Sequence, residues 1–469
     1  MWQIIKNEWH FLIRTSAFLR ISIGFLLTLL LAVYLGNLQF DQQEIHYQIA
    51  KDHLRAQWED IDEMNPHSAA HYGTYVFKPV NLSSSLDEGI YCVTGNVLRV
   101  EGHVQNEVVH SEASQMQAVS RFGKLKSALL LQYILPLLLV FLAFHSVSSE
   151  KQSGRLKLLI LQGAKLSSLV WAKALSVWLY GIGLLTLTVW AYAFVNLTEI
   201  STEVMVRTLF FYLSYGMYYF IVSTLTIYLS ARWQNATVAL TSMLGIWILW
   251  TVFLPNILMS AVESWYELPS RNVFQAAMKE DRSKGLDGHN PADDRTAALE
   301  EKVLKQYGVD TIAQLPINFD GILMQADEEY GNQVWDKHFG NLRTTLRLQK
   351  QRYQLAGIIN PFISLQNASM GFAASDNLHH HEFLVQAENY RRDLIKALNN
   401  EHAYGGSRTG DWSWKANNDF FRSIPDFEYK PVALVSVYSH YAMDMAMMVV
   451  WVLFVSGLLF VGTQKIQIL

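Results

Sequence analysis

The chain has 469 residues, of which 51% are hydrophobic and 13% aromatic, and its formal net charge is −4 at pH 7. Long uncharged runs alternate with highly charged segments, which excludes an ordinary soluble enzyme and describes a membrane protein with substantial soluble parts. Cys92 is the only cysteine, which excludes an intrachain disulfide and any cysteine-rich metal knot.

Residues 1–17 place Trp2, Ile4, Ile5, Trp9, Leu12 and Ile13 against Lys6, Glu8 and Arg14, an amphipathic helix suited to lying along a membrane face. Arg14 and Arg20 bracket a break at Thr15-Ser16, although the same residues also read as a frayed start to the first span. The first span is 18–36, and without a cleavage-like sequence after it, it reads as a retained anchor. Residues 37–126 are a soluble insertion with a charged helical part at 44–62 and strand-like alternation at 91–100. A second span follows at 127–145 and contains Pro136, tolerated where neighbours satisfy the freed carbonyl.

A connecting loop covers 146–168, and three further spans are expected at 169–195, 204–230 and 236–256. Residues 257–432 form a second charged insertion. Apolar positions spaced by three and four predict a long helix over 320–357, stopped by Asn360-Pro361, and another over 378–399. The last span is 441–463. Lys and Arg gather in short loops on the cytoplasmic side. Counting from an inside N-terminus puts both termini in the cytoplasm and both insertions outside. The expected fold is mainly α: a polytopic six-helix transmembrane domain with a large, mostly helical extracytoplasmic domain built from the two insertions.

The stretch 146–173 is the most cationic short connection, with Lys151, Arg155, Lys157, Lys165 and Lys173. It also carries the order E-x-x-x-G-x-L-x-x-L, formed by Glu150, Gly154, Leu156 and Leu159. That order, directly after the second span, resembles the first cytoplasmic loop of ABC type-2 exporter permeases. The resemblance implies a coupling helix, with Glu150, Gly154, Arg155, Leu156 and Leu159 facing a separate ATPase subunit. It also implies that residues 1–17 are the elbow helix, that a second permease copy or a sister permease is present, and that the membrane is the bacterial inner membrane. The plainer reading is a loop whose basic residues only fix topology. Met64-Asn65-Pro66-His67-Ser68-Ala69-Ala70-His71-Tyr72-Gly73, Leu268-Pro269-Ser270-Arg271 and Ala387-Glu388-Asn389-Tyr390-Arg391 resemble a subfamily with a large insertion after its first span. The resemblance names no cargo.

No G-x-x-x-x-G-K-[ST] occurs; Gly123-Lys124 lacks its surroundings, so energy must come from another subunit. No G-x-S-x-G or H-E-x-x-H is present either, and no catalytic residue, cofactor, metal ligand or nucleic-acid partner is expected. His67 and His71 are spaced i, i+4 and share a helix face; they invite a metal reading, since imidazole is a common ligand, but capping and packing stand ahead of it, and both are candidates for substrate or interface contact. His440 and Asp444 have the same spacing at the start of the last span, where an ionisable residue is a functional candidate. Asp444 is expected to stay hydrated or to pair with His440. Tyr212, Tyr215, Tyr218, Tyr219 and Phe220 read as packing or an interface belt. A membrane-anchored receptor or scaffold, its insertions binding a partner protein, is the alternative to a transporter subunit.

Overall fold

The computed structural model describes residues 1–105 and 125–465, so Gly123-Lys124 and part of the first insertion lie outside the described residues. In chain order the main helices are α1 (Trp2–Arg14), α2 (Ser16–Glu59), α3 (Pro66–Tyr72), α4 (Ser127–Gln152) and α5 (Arg155–Leu161). They continue with α6 (Leu166–Val195), α7 (Thr202–Arg232), α8 (Ala236–Trp265), α9 (Arg271–Lys284) and α10 (Ala292–Tyr307). The last four are α11 (Phe319–Leu355), α12 (Pro361–Phe372), α13 (Asn377–Tyr404) and α14 (Leu434–Lys465). Six of them, α2, α4, α6, α7, α8 and α14, are long and apolar enough to cross a membrane. The architecture is that of a helical polytopic protein.

Thr15 is extended and separates α1 from α2. Helix α1 then folds against α6, where Trp9 and Phe18 pack their rings on Tyr180. Beyond its apolar part α2 does not stop at Gly36 but runs unbroken to Glu59, since nothing between them breaks a helix. Two spans carry π-turns, at Leu130–Ile134 in α4 and Leu249–Phe253 in α8. Each lies just before a proline, Pro136 and Pro255, whose ring cannot accept the ordinary turn geometry behind it. The carbonyls released there are met from outside the helix. The Tyr219 hydroxyl donates to the Leu131 carbonyl at 3.0 Å, and Asn360 Nδ2 donates to the Trp250 carbonyl at 2.8 Å.

Asparagine followed by proline starts a helix twice. Asn65 accepts from the backbone N–H groups of His67 and Ser68, and Asn360 from that of Phe362, with Pro66 and Pro361 in the first helical position. Asn360-Pro361 therefore ends one helix and begins another. The strand-like stretch at 91–100 is one helical turn, Tyr91–Thr94, followed by β3 (Val97–Val100), which pairs antiparallel with β2 (Thr74–Phe77).

The two insertions share a core. Trp58, Ala69, Val76 and Leu98 of the first pack with Phe383, Leu394, Leu398 and Phe421 of the second. A short antiparallel pair, β1 (Glu63–Met64) with β4 (Ala416–Asn417), stitches them together. The second insertion also enters the spanning bundle. Phe362, Leu365, Ala368 and Phe372 of α12 belong to the same buried cluster as the spans, and α12 packs against α7 and α14.

Candidate functional site

Three places gather the residues singled out in the sequence. The first is the α4–α5 connection. Gly154 takes a left-handed conformation (φ 74°) as the residue before α5, and Gly163 does the same after it (φ 92°). A side chain at Gly154 would meet no atom within 4 Å, so the glycine serves the backbone turn and not close packing. Arg155 is exposed and Leu159 half-buried. Leu156 is 1% exposed and packs inward, and Glu150 also turns inward. Within the single chain these two do not offer an outward face, unlike the arrangement that the resemblance implies. The outward apolar pair is Leu158 with Leu161. The run R-L-K-L-L-I-L is apolar on nearly every side, so periodicity alone could not choose the face.

Glu150 is held by Lys173 of α6, whose ammonium donates to Glu150 Oε1 at 3.0 Å and to Glu8 Oε1 of α1 at 2.6 Å. Lys173 is 3% exposed. One buried cation thus ties α1, the α4–α5 connection and α6 together. Lys151 reaches the Ala231 carbonyl at the end of α7, where a cation complements the helix dipole.

The second place is a buried polar seam around α12. Asp444 is fully buried and accepts from Gln354 Nε2 at 2.7 Å and Asn367 Nδ2 at 2.9 Å. Its carboxylate is closed off from bulk solvent and its side-chain partners are not His440; the His440 backbone carbonyl joins the group, accepting from Gln354 at 3.0 Å. Lys350 donates to Asn367 Oδ1 at 2.6 Å and lies over the Tyr441 ring. Burial pushes the Lys350 ammonium down, against Asp444 and Asp376, which favour its charge. Tyr441 bonds Asp376, which also holds His379. Further along, Gln132 Nε2 contacts the Tyr215 hydroxyl (3.0 Å) and Asp87 Oδ2 (3.3 Å), and Ser369 joins both. Burial raises the Asp87 carboxyl, while hydrogen bonds from Ser369 and Gly89 pull the other way. Tyr215, Tyr218 and Tyr219 are fully buried packing residues and not an interface belt. The seam joins α12 to the spans, satisfying polar groups that burial would otherwise penalise.

The third place is at the edge of the shared core of the insertions. His67 and His71 share one face of α3, with their Nε2 atoms 3.2 Å apart. His103, on the loop after β3, brings a third imidazole to them; ligand atoms of all three lie within 4.8 Å of one another. His103 has a left-handed backbone (φ 64°). Glu328 of α11 holds it there, accepting from its backbone N–H at 2.6 Å and contacting its Nδ1 at 2.9 Å. Burial, and then His71, His103 and His402 nearby, lower His67 to about 4. Burial would raise Glu328, but His103 and Arg391 bring it to about 2. His103 was not legible as a site residue, because no spacing links it to α3.

Arg391, 3% exposed, anchors this corner, bonding Glu328, Glu388 and Asn332 through four contacts of 2.7–3.0 Å. Arg391→Lys retains the charge but not the planar fork. It is expected to lower the unfolding free energy by about 1–3 kcal/mol, the range for a buried polar partner left unsatisfied. Denaturation in mixed micelles measures it, and an unchanged stability would mean that charge alone holds Glu328 and Glu388.

No curated protein and no solved structure matches the chain. Residues 271–430, from the start of α9 through the helices bearing Glu328 and Arg391, match a protein family described as "Domain of unknown function (DUF3526)".

Proposed function

We propose that the chain is the transmembrane permease subunit of an ATP-driven ABC type-2 exporter, coupling hydrolysis by a separate ATPase subunit to movement of its spans and insertions. The observation that carries this reading is α5. It is a short helix between two left-handed glycines, with Arg155, Lys157, Leu158 and Leu161 outward. Leu156 buries its inner side, and Glu150, in the last turn of α4 just before it, is joined by Lys173 of α6 to Glu8 of α1. A push on such a helix reaches the adjoining end of α4, which one buried cation joins to α1 and α6. Helix-in-groove docking uses apolar anchors at i and i+3 on a short helix, which Leu158 and Leu161 supply. In this reading α1 is the elbow helix, and the basic residues of α1, the α4–α6 connection and Arg232 face the cytoplasm of a bacterial inner membrane. Both insertions then lie outside. The apolar faces that α2 and α14 leave exposed are covered by lipid and by a second permease copy or a sister permease.

The test is Leu158→Asp with Leu161→Asp in the full chain, co-expressed with the ATPase subunit that co-purifies with the wild-type chain. Both side chains are exposed, so the fold is retained. Burying either leucine in a groove is worth about 1.5–3 kcal/mol, so the double variant is expected to weaken the complex at least roughly tenfold and to abolish ATPase stimulation at normal membrane insertion. Glu150→Lys is unsuitable for this purpose, since it would set a second cation against buried Lys173. Unchanged complex yield and stimulation would reduce α5 to a topology signal. If the insertions still captured a partner protein, the scaffold reading would replace the transporter one.

A further inference from the structure

Imidazole is a metal ligand when neutral, and a catalytic or exchangeable zinc centre takes three protein ligands and leaves a fourth position open. His67, His71 and His103 meet that description from two separate elements. Zinc–nitrogen bonds of about 2.0–2.1 Å at tetrahedral angles set ligand nitrogens about 3.3 Å apart. The Nε2 atoms of His67 and His71 are already 3.2 Å apart. A ligand nitrogen of the third imidazole lies within 4.8 Å of those of the other two.

A further observation points to a ligand. Nδ1 of His103 faces Glu328 Oε1 at 2.9 Å, which leaves Nε2 of that ring for an ion. A carboxylate behind a histidine is the usual outer-shell partner that fixes the tautomer and ring orientation of a metal ligand. Here that carboxylate is itself fixed by Arg391 and also grips the His103 backbone, so a left-handed residue is locked where the cluster needs it. The loop is pinned to α3 again by Gly102 N–H donating to the Ala70 carbonyl at 2.8 Å. His71 is exposed, so an ion reaches the cluster from solvent.

We propose that His67, His71 and His103 form a three-histidine site for a divalent cation of the zinc class, oriented by Glu328. The fourth position is open to water or to an exogenous ligand. The bound ion ties α3 to the loop after β3, and Glu328 joins that loop to α11 of the second insertion. The site does not depend on the transport reading.

The experiment uses full-length protein in detergent, purified without a polyhistidine tag and stripped with EDTA. Zn²⁺ uptake is read by elemental analysis and titration calorimetry, and Co²⁺ replaces it as a spectroscopic probe. The expected result is one Zn²⁺ per chain, the visible absorption of four-coordinate Co²⁺, and a higher unfolding midpoint when Zn²⁺ is added. His71→Ala, at an exposed position, and His103→Ala are expected to lose all three signals. Glu328→Gln is expected to weaken binding about 10–100-fold, the usual effect of removing an outer-shell partner. His46→Ala, an exposed histidine on α2 outside the cluster, is expected to behave as wild type. Wild-type protein that fails to take up stoichiometric Zn²⁺, or His71→Ala and His103→Ala proteins that take up as much as wild type, would overturn the assignment.

Discussion

Lys173→Ala is expected to lower the unfolding free energy by about 3–5 kcal/mol, the range for removing one partner of a buried ion pair. The ammonium sits 3% exposed between Glu8 Oε1 at 2.6 Å and Glu150 Oε1 at 3.0 Å. Glu150 Oε2 is buried without any hydrogen-bond partner, so this carboxylate depends on Lys173. Alanine would leave two carboxylates facing each other in a poorly solvated space, where like charges repel. Most of the loss therefore comes from the groups left behind and not from the attraction itself. Neutralising all three residues together (Glu8→Gln, Lys173→Met, Glu150→Gln) is expected to recover most of the stability, since a buried ion cluster is often replaceable by neutral side chains. Denaturation in mixed micelles of the single and triple variants measures both. A loss below about 1 kcal/mol for Lys173→Ala would mean that water reaches the carboxylates and that the cluster behaves as a surface pair.

That cluster also shows which parts of the molecule were legible in the sequence. The six apolar runs were, because crossing length and lack of charge are properties of a segment by itself. So was the Thr15-Ser16 break, and so were the long helices now seen as α11 and α13, whose apolar periods are local. Glu150 and Lys173 were both noticed, but as separate members of a basic loop; only packing of α6 on the α4–α5 connection makes them partners. Helix α12 was not legible. Its Asn367 and Ser369 make it read as ordinary insertion sequence, and their meaning lies in Asp444, Lys350, Asp87 and Tyr215, all on other elements. The same applies to Asp444, for which the i, i+4 neighbour His440 was the obvious partner. The partners it has, Gln354 and Asn367, come from the second insertion. Short-range patterns therefore gave the spans and caps, and missed every contact that folds an insertion back between them.

A second large effect is expected at Lys78, with the opposite sign. This lysine lies just after β2, is 2% exposed, and its Nζ has no hydrogen-bond partner. Its ammonium lies 4.1 Å from the centroid of the Tyr91 ring, an attraction that offsets only part of the lost hydration. Burial lowers its pKa to about 7, with the charge of Asp376 acting the other way. An unfolded lysine titrates near 10.4, so between pH 7 and that value the unfolded chain binds more protons than the folded one. Stability then rises with pH across this window, and below pH 7 the full penalty of burying the charge is present. Lys78→Met keeps the length of the side chain and removes the charge. It is expected to stabilise the protein at pH 6 by several kcal/mol, about 1.4 kcal/mol for each pH unit of the window. The advantage should shrink steadily as pH rises from 7 to 9. Unfolding midpoints of wild type and Lys78→Met at pH 6, 7, 8 and 9 test this. A difference that does not change with pH, or a wild type more stable at pH 6, would mean that the ammonium is solvated or paired in the folded protein.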